Sequence, residues 1–157
     1  MSNIFEKLTS AANNTTTYRI GLLQAKAYRS LKQQTTEALA HLDISTTDWA
    51  FLGLLYDHKD GMRATDVAEE LGVEAPFVSV LLKKFETREF LFIETSPDDS
   101  RSKVVSLTEV GRAFVPSTEK NLRLHMRQLV SGASIQDIVA YISVLETIIQ
   151  NASKLKK

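Results

Sequence analysis

Gly72 stands between two short stretches whose apolar residues recur at helical spacing, and this arrangement narrows the fold more than anything else in the chain. Before it, Val67, Ala68 and Leu71 fall on one helix face, with Thr65 expected as the N-cap. Gly72 itself lies where a helix stops most easily on a left-handed residue. A second helix is expected from about Ala75, with Pro76 in its first turn, where a missing N–H is harmless. Val78, Leu81, Leu82 and Phe85 recur at i, i+3, i+4 and i+7 and form its core face. Pro76, Ser79, Val80, Lys83 and Thr87 occupy the opposite face, with Lys84 and Arg88 on the flank. Two short helices around a glycine turn predict a helix-turn-helix over residues 62–91.

A hairpin is expected next. Asp98, Asp99 and Ser100 are turn formers after Pro97, Lys103 to Leu107 is a short β-branched return strand, and Thr108 is placed to cap a following helix. Met62-Arg63-Ala64 is expected to add a third short strand. Arg101 at a polar hairpin tip suits the negative potential of a narrow minor groove. Taken alone it is more simply a solvated turn residue; the helix-turn-helix before it favours the groove. Together the elements predict a winged helix-turn-helix, its second helix in the major groove and its wing on the minor groove or backbone.

On these residues the chain resembles the MarR family (multiple antibiotic resistance regulators) of winged-helix transcription factors. The family's wing signature, Asp-x-Arg, five residues, Leu-Thr, two residues, Gly, is met by Asp99, Arg101, Leu107, Thr108 and Gly111. Leu71-Gly72-Val73 and Val78-Ser79 fit the lead-in, and a weaker likeness extends over about residues 15–152, with Trp49 and Leu52 in the preceding helix. The resemblance implies a homodimer on a pseudo-palindromic operator of double-stranded DNA, often responsive to a small ligand. By position it implies that Ser79, Val80 and Lys83 face the major groove, that Arg101 enters the minor groove, and that Asp99 holds the wing by pairing with an arginine. Where the family commonly continues Gly-Leu-Val and a basic residue, this chain has Phe90-Leu91-Phe92-Ile93, so a differently shaped helix end is expected. Val80 stands where a long polar side chain is common, and Ser100 where a second arginine is, which points to more apolar base reading.

The remaining chain reads as a dimerisation scaffold. Thr15 to about Leu39 is expected as a helix with Ile20, Leu23, Ala27, Tyr28 and Leu31 on one side. A loop over residues 41–45 leads to a helix from Thr46 that buries Trp49, Leu52 and Leu55. A long helix is expected from Thr108 to about Val130, bent near Pro116 and broken at Ser131-Gly132. A last helix opens on Ser134 and Asp137, an approximate capping box. Its stripe of Ile135, Ile138, Ile142, Leu145, Ile149 and Ala152 is too apolar for so small a chain unless a partner covers it. The expected fold is mostly α with a small β-hairpin wing: a winged helix-turn-helix core flanked by dimerisation helices, ordered helix, helix, strand, helix, helix, strand, strand, helix, helix. Residues 1–157 form one domain, with dimerisation helices at 15–45 and 113–152 and the winged lobe at 46–112.

At 157 residues, 43% hydrophobic and 24% charged, the composition is that of one ordinary globular domain. No apolar run is long enough to span a membrane, and no signal segment follows Met1, so a cytoplasmic protein is expected. The chain has no cysteine, which excludes disulfides, thiolate zinc sites and thiol-based oxidant sensing. Charge runs the other way from function. Residues 62–112 hold seven Lys/Arg against ten Asp/Glu, a net charge of −3, although a DNA-binding lobe is expected to be basic. Binding then requires segregation by face. Arg63, Lys83, Lys84, Arg88, Arg101 and Lys103 are expected on the DNA side, with Glu69, Glu70 and Glu109 turned away.

No catalytic reading competes. His41, His58 and His125 are isolated without metal-ligand spacing, and there is no nucleophile elbow, P-loop or dinucleotide fingerprint. Neither a cofactor nor a metal is expected. The expected DNA contacts are Arg63, Thr65, Pro76, Ser79, Val80, Lys83, Lys84, Arg88, Ser100, Arg101 and Lys103, with Asp99 stabilising the wing. A small-molecule effector is expected in a crevice between the dimer helices and the winged lobe, with Tyr28, Trp49, Phe51 and Tyr56 as aromatic wall residues. The function expected is a dimeric DNA-binding repressor. The alternative, suggested by the acidic lobe and by Pro76, Phe77 and Val80, is a winged-helix module that binds protein.

Overall fold

A computed structural model of the chain describes residues 17–95 and 103–155. Its elements are α1 (Thr17–Leu39), a 3-10 turn (Ala40–Leu42), α2 (Thr46–Asp57), β1 (Met62–Arg63), α3 (Ala64–Leu71), α4 (Ala75–Thr87), β2 (Leu91–Thr95), β3 (Lys103–Leu107), α5 (Glu109–Leu129) and α6 (Ile135–Leu155). This is the expected order, mostly helical with one small sheet. The wing tip, with Asp99, Ser100 and Arg101, and the N-terminal residues through 16 lie outside the described residues.

The sheet is antiparallel in the order β1-β3-β2. Val105 pairs with both Met62 and Ile93, and Leu91 with Leu107. Because strand side chains alternate, this register sends Met62, Leu91, Val105 and Leu107 into the core. They meet Phe51, Leu52 and Leu55 of α2, Val67 of α3, and Val78, Leu81, Leu82 and Phe85 of α4. The apolar face expected for α4 is thus the buried one.

Two expectations for helix details are corrected. Helix α2 starts on a capping box in which Ser45 Oγ accepts from Asp48 N and Asp48 Oδ2 accepts from Ser45 N. From that start Asp48, Phe51, Leu52 and Leu55 run at i, i+3, i+4 and i+7 into the core. Trp49, expected to be buried, lies one position off that stripe and is only half-buried. Thr65 is not the N-cap of α3. The strand pairing of Arg63 with Val104 runs directly into the helix, so Arg63 takes the cap position and Thr65 falls in the first turn, donating to Asp66 Oδ1 at 3.1 Å.

Helix α3 ends as expected. Gly72 is left-handed (φ 63°), and Gly72 N and Val73 N donate to Glu69 O and Ala68 O, both at 3.0 Å. The end of α4 repeats this geometry without glycine. Glu89 is left-handed (φ 58°), Glu89 N donates to Glu86 O and Phe90 N to Phe85 O, each at 2.9 Å. The Phe90 and Phe85 rings stack at 6.1 Å, supplying the hydrophobic contact that usually closes such a cap. The unusual backbone therefore falls on Glu89, while Phe90 is buried and also meets Phe114 at 4.9 Å.

The chain divides into two compact units, one ending at His125 and one beginning at Met126. In the second, α6 opens on Ser134, whose Oγ accepts from Asp137 N and donates to Asp137 Oδ2. None of the residues of α6 is buried, and Ile135 and Ile149 are 77% and 68% exposed. Among the described residues no helix is long and apolar enough to cross a membrane.

Candidate nucleic-acid interface

The outward face of α4 is the centre of the candidate site. Its four buried residues fix the helix's rotation, leaving Pro76, Ser79, Val80, Lys83 and Thr87 exposed on the other side. The two hydroxyls on this face bond back to their own helix: Ser79 Oγ donates to Ala75 O at 3.3 Å and Thr87 Oγ1 to Lys83 O at 2.9 Å. They therefore keep acceptor capacity outward, and the donor there is the Lys83 ammonium. Lys103, at the start of β3, is also exposed.

Lys84 and Arg88 are placed differently from the expectation, because α4 rotates both onto its inner flank. Lys84 Nζ donates to Asp48 Oδ2 at 2.8 Å, tying α4 to the start of α2. Asp48 is almost fully buried. Burial raises its pKa, but the hydrogen bonds from Lys84 and from Ser45 outweigh that and hold it below the usual carboxylate value. Arg88 donates to Leu42 O at 3.2 Å and lies over the Phe85 and Phe90 rings at 5.9 and 5.3 Å. Both are positioning residues for α4. Sequence reasoning missed this pair, although the spacing Ser45-x-x-Asp48 was a legible capping box.

Segregation of charge by face fails around Arg63. That residue lines an open hollow of about 800 Å³ with Asp66, Glu69, Glu70 and Glu94, so Glu69 and Glu70 are not turned away from it. Arg112 is also engaged, donating to Lys59 O at 2.9 Å and Tyr56 O at 3.5 Å.

The join between α4 and α5 explains the Leu-Thr-x-x-Gly part of the wing signature. Thr108 N donates to Phe90 O at 3.0 Å, and Thr108 Oγ1 donates to Glu89 O at 2.7 Å while accepting from Gly111 N at 3.2 Å. Thr108 thus caps α5 and clamps it to the end of α4. A Cβ on Gly111 would lie 2.5 Å from Phe90 O, so only glycine permits this approach.

Among the described residues, the four aromatic residues expected in a ligand crevice do not line one hollow together. Tyr28 lines a hollow of about 340 Å³ with Leu31, Thr35, Thr46, Ala50 and Leu71. Phe51 is sealed in the core, stacked on Phe85 at 5.7 Å, and so has no surface to offer a crevice wall. Trp49 is half-buried, and Tyr56 is exposed near the end of α2. Among the described residues no group of three or more His, Cys, Asp or Glu is arranged to hold a metal.

Comparison with known proteins locates this geometry. Residues 42–102 match the model of the MarR family. YdgJ of Bacillus subtilis (strain 168), named as an uncharacterized HTH-type transcriptional regulator, is 26% identical over 113 residues, spanning 72% of this chain and 68% of YdgJ. MepR of S. aureus, solved in a DNA-binding conformation, is 25% identical with a TM-score of 0.73, over 87% of this chain and 99% of MepR. A MarR transcriptional regulator from Methanosarcina mazei Go1 superposes with a TM-score of 0.75 at 22% identity, over 87% of this chain and 97% of its own. With the family's sequence pattern matched over residues 42–102 and the fold shared over most of the described length, the chain is similar to the MarR family of winged-helix regulators.

Proposed function

We propose that this protein is a homodimeric, sequence-specific DNA-binding repressor whose affinity for its operator is changed by a small ligand. The observation that carries the reading is the outward face of α4: a helix locked by one side into the core, its other side exposed and followed by a wing hairpin. The likeness to MepR in its DNA-binding conformation supports it. In this reading α4 enters the major groove through Pro76, Ser79, Val80 and Lys83, Lys103 meets the backbone, and Arg101 of the wing reaches the minor groove. Asp99 steadies the wing.

The protein acts as one domain, with residues 15–45 and 113–152 forming the dimer. The exposed apolar residues of α1 (Tyr18, Leu22, Leu23) and of α6 (Ile142, Ile149) support pairing across a two-fold axis. Such pairing presents two copies of α4 to grooves about 34–36 Å apart. The ligand acts by preferring one spacing of those helices, and it shifts the equilibrium only by that preference. The hollow beside Tyr28 supports a site near α1 and α2.

The test is fluorescence anisotropy with duplex DNA from the protein's own promoter region at several salt concentrations. Binding is expected to weaken with salt, and Arg101→Ala to reduce it. Lys83→Ala should lower the salt slope by about one per half-site, whereas Lys84→Met should leave it unchanged because that ammonium is already paired. No binding at low salt, or binding indifferent to the loss of both Arg101 and Lys83, refutes the reading. Either result favours a protein-binding module, for which the acidic hollow around Arg63 is the supporting observation.

A further inference from the structure

We infer that Val80 is a specificity-determining residue, and that it reads the 5-methyl group of a thymine in each operator half-site. The inference rests on the DNA-binding reading above and deepens it. Val80 is 61% exposed in the middle of α4, on the face opposite the buried residues. A β-branched side chain on an exposed helical position is a poor helix former compared with alanine, and here it gains little burial within the subunit in return. Its stiffness becomes useful on contact with a partner, because an isopropyl group with essentially one helical rotamer loses little entropy on burial.

The chemistry around Val80 selects the partner. Its side chain opens onto a hollow of about 600 Å³ shared with Asp43, Lys83, Lys84, Thr87 and Arg88, four cationic or hydroxyl-bearing neighbours and one acid. A small apolar spot beside the outward Lys83 ammonium suits an anionic duplex that carries isolated apolar groups, and is a poor seat for an extended apolar protein surface. In the major groove the apolar group a base pair offers is the thymine methyl. Lys83 lies one turn further along the same face, within reach of a neighbouring base edge or phosphate. With Lys84 and Arg88 held on the inner flank, base reading by the outward face of α4 is left to Val80, the Lys83 ammonium and the acceptor oxygens of Ser79 and Thr87.

The experiment uses the purified full chain to select binding duplexes from a random library. Each thymine of the selected site is then replaced by deoxyuridine, which removes only the methyl group, and affinity is measured by anisotropy. At one symmetric pair of positions the replacement is expected to weaken wild type roughly fourfold per half-site, the factor for one buried methyl. Val80→Ala is expected to bind thymine and deoxyuridine versions equally at that pair, with unchanged circular dichroism and salt slope. If the methyl acts through duplex shape, the discrimination survives in Val80→Ala and the inference is overturned. It is equally overturned if wild type tolerates deoxyuridine at every position. Failure to select any duplex sinks the DNA-binding reading and the inference with it.

Discussion

Replacing Gly111 with alanine tests the clamp between α4 and α5. Alanine is the better helix former, and in an unobstructed helix interior the change gains about 1 kcal/mol. Here the new Cβ would lie 2.5 Å from Phe90 O and 3.2 Å from Leu107 Cδ2. Restoring an ordinary contact of 3.4 Å requires a retreat of roughly 0.9 Å by α5 or by the end of α4. Such overpacking typically costs about 1–3 kcal/mol. Phe90 O is also the acceptor for Thr108 N at 3.0 Å, and the same retreat stretches the 2.7 Å bond from Thr108 Oγ1 to Glu89 O. Weakening both adds about 2 kcal/mol at the usual net worth of a hydrogen bond. The sum, less the propensity gain, is a loss of about 2–4 kcal/mol. Gly53→Ala is the control, since its Cβ in α2 would meet nothing within 4 Å; it should stabilise by up to about 1 kcal/mol. Urea unfolding at fixed protomer concentration measures both, the concentration being held because association shifts apparent stability. A Gly111→Ala protein as stable as wild type, or both alanine variants moving together, refutes the steric argument.

Glu89→Gly should stabilise the protein by roughly 0.5–1 kcal/mol in the same assay, because it removes a side chain from the left-handed position that ends α4; a loss of stability would show that the Glu89 side chain makes a contact worth more than the strain. Asp48 has a folded pKa below its unfolded value of 3.8, so its contribution is present in full above that value and lost as pH falls through the lower folded one. Asp48→Asn should therefore flatten the acid limb of unfolding free energy below about pH 4, while costing about 1–3 kcal/mol at neutral pH through the loss of the Lys84 and Ser45 bonds. An unchanged acid limb would mean that other carboxylates control acid unfolding.

The fold was legible in the sequence because its elements obey one period each. Val78, Leu81, Leu82 and Phe85 fix the rotation of α4, and Gly72 and Pro76 fix its neighbours, so the outward residues could be named from spacing alone. What spacing does not carry is where a long side chain goes once its helix is rotated. Lys84 and Arg88 sit at the margin of the outward face, and their stems are long enough to turn either way. Asp48, Leu42 O and the Phe85 and Phe90 rings decide it, and all but Phe85 and Phe90 come from distant sequence. Phe51 was misplaced for a related reason. In α2, seven of the eight residues from Trp49 to Tyr56 are apolar or aromatic, so the buried stripe is ambiguous until the capping box at Ser45 and Asp48 sets its phase. The left-handed residue after α4 was expected to be affected by the absence of glycine at Phe90; the chain instead keeps the cap and shifts it to Glu89.

These placements change how the acidic lobe bears on DNA binding. A net charge of −3 over residues 62–112 counts Lys84, Arg88 and Arg112 as if they were available to phosphate, yet each is engaged with its own subunit. The described cations left facing outward near α4 and the wing are fewer than the composition suggests, so the salt-dependent, sequence-independent part of affinity is small. In the proposed dimer, affinity draws on two sources that composition does not count: contacts to base edges, and two half-sites engaged at once. For the second, the gain depends on how rigidly the paired molecule holds its two α4 helices at the operator spacing. Weak nonspecific attraction is then an advantage for selectivity, because competing genomic sites are bound mainly through phosphate while the operator is bound through both terms. The expected signature is a shallow salt slope on random duplex beside a high ratio of operator to random affinity, and a dimer-breaking pair such as Ile142→Lys with Ile149→Lys should abolish the ratio while leaving the slope per subunit intact.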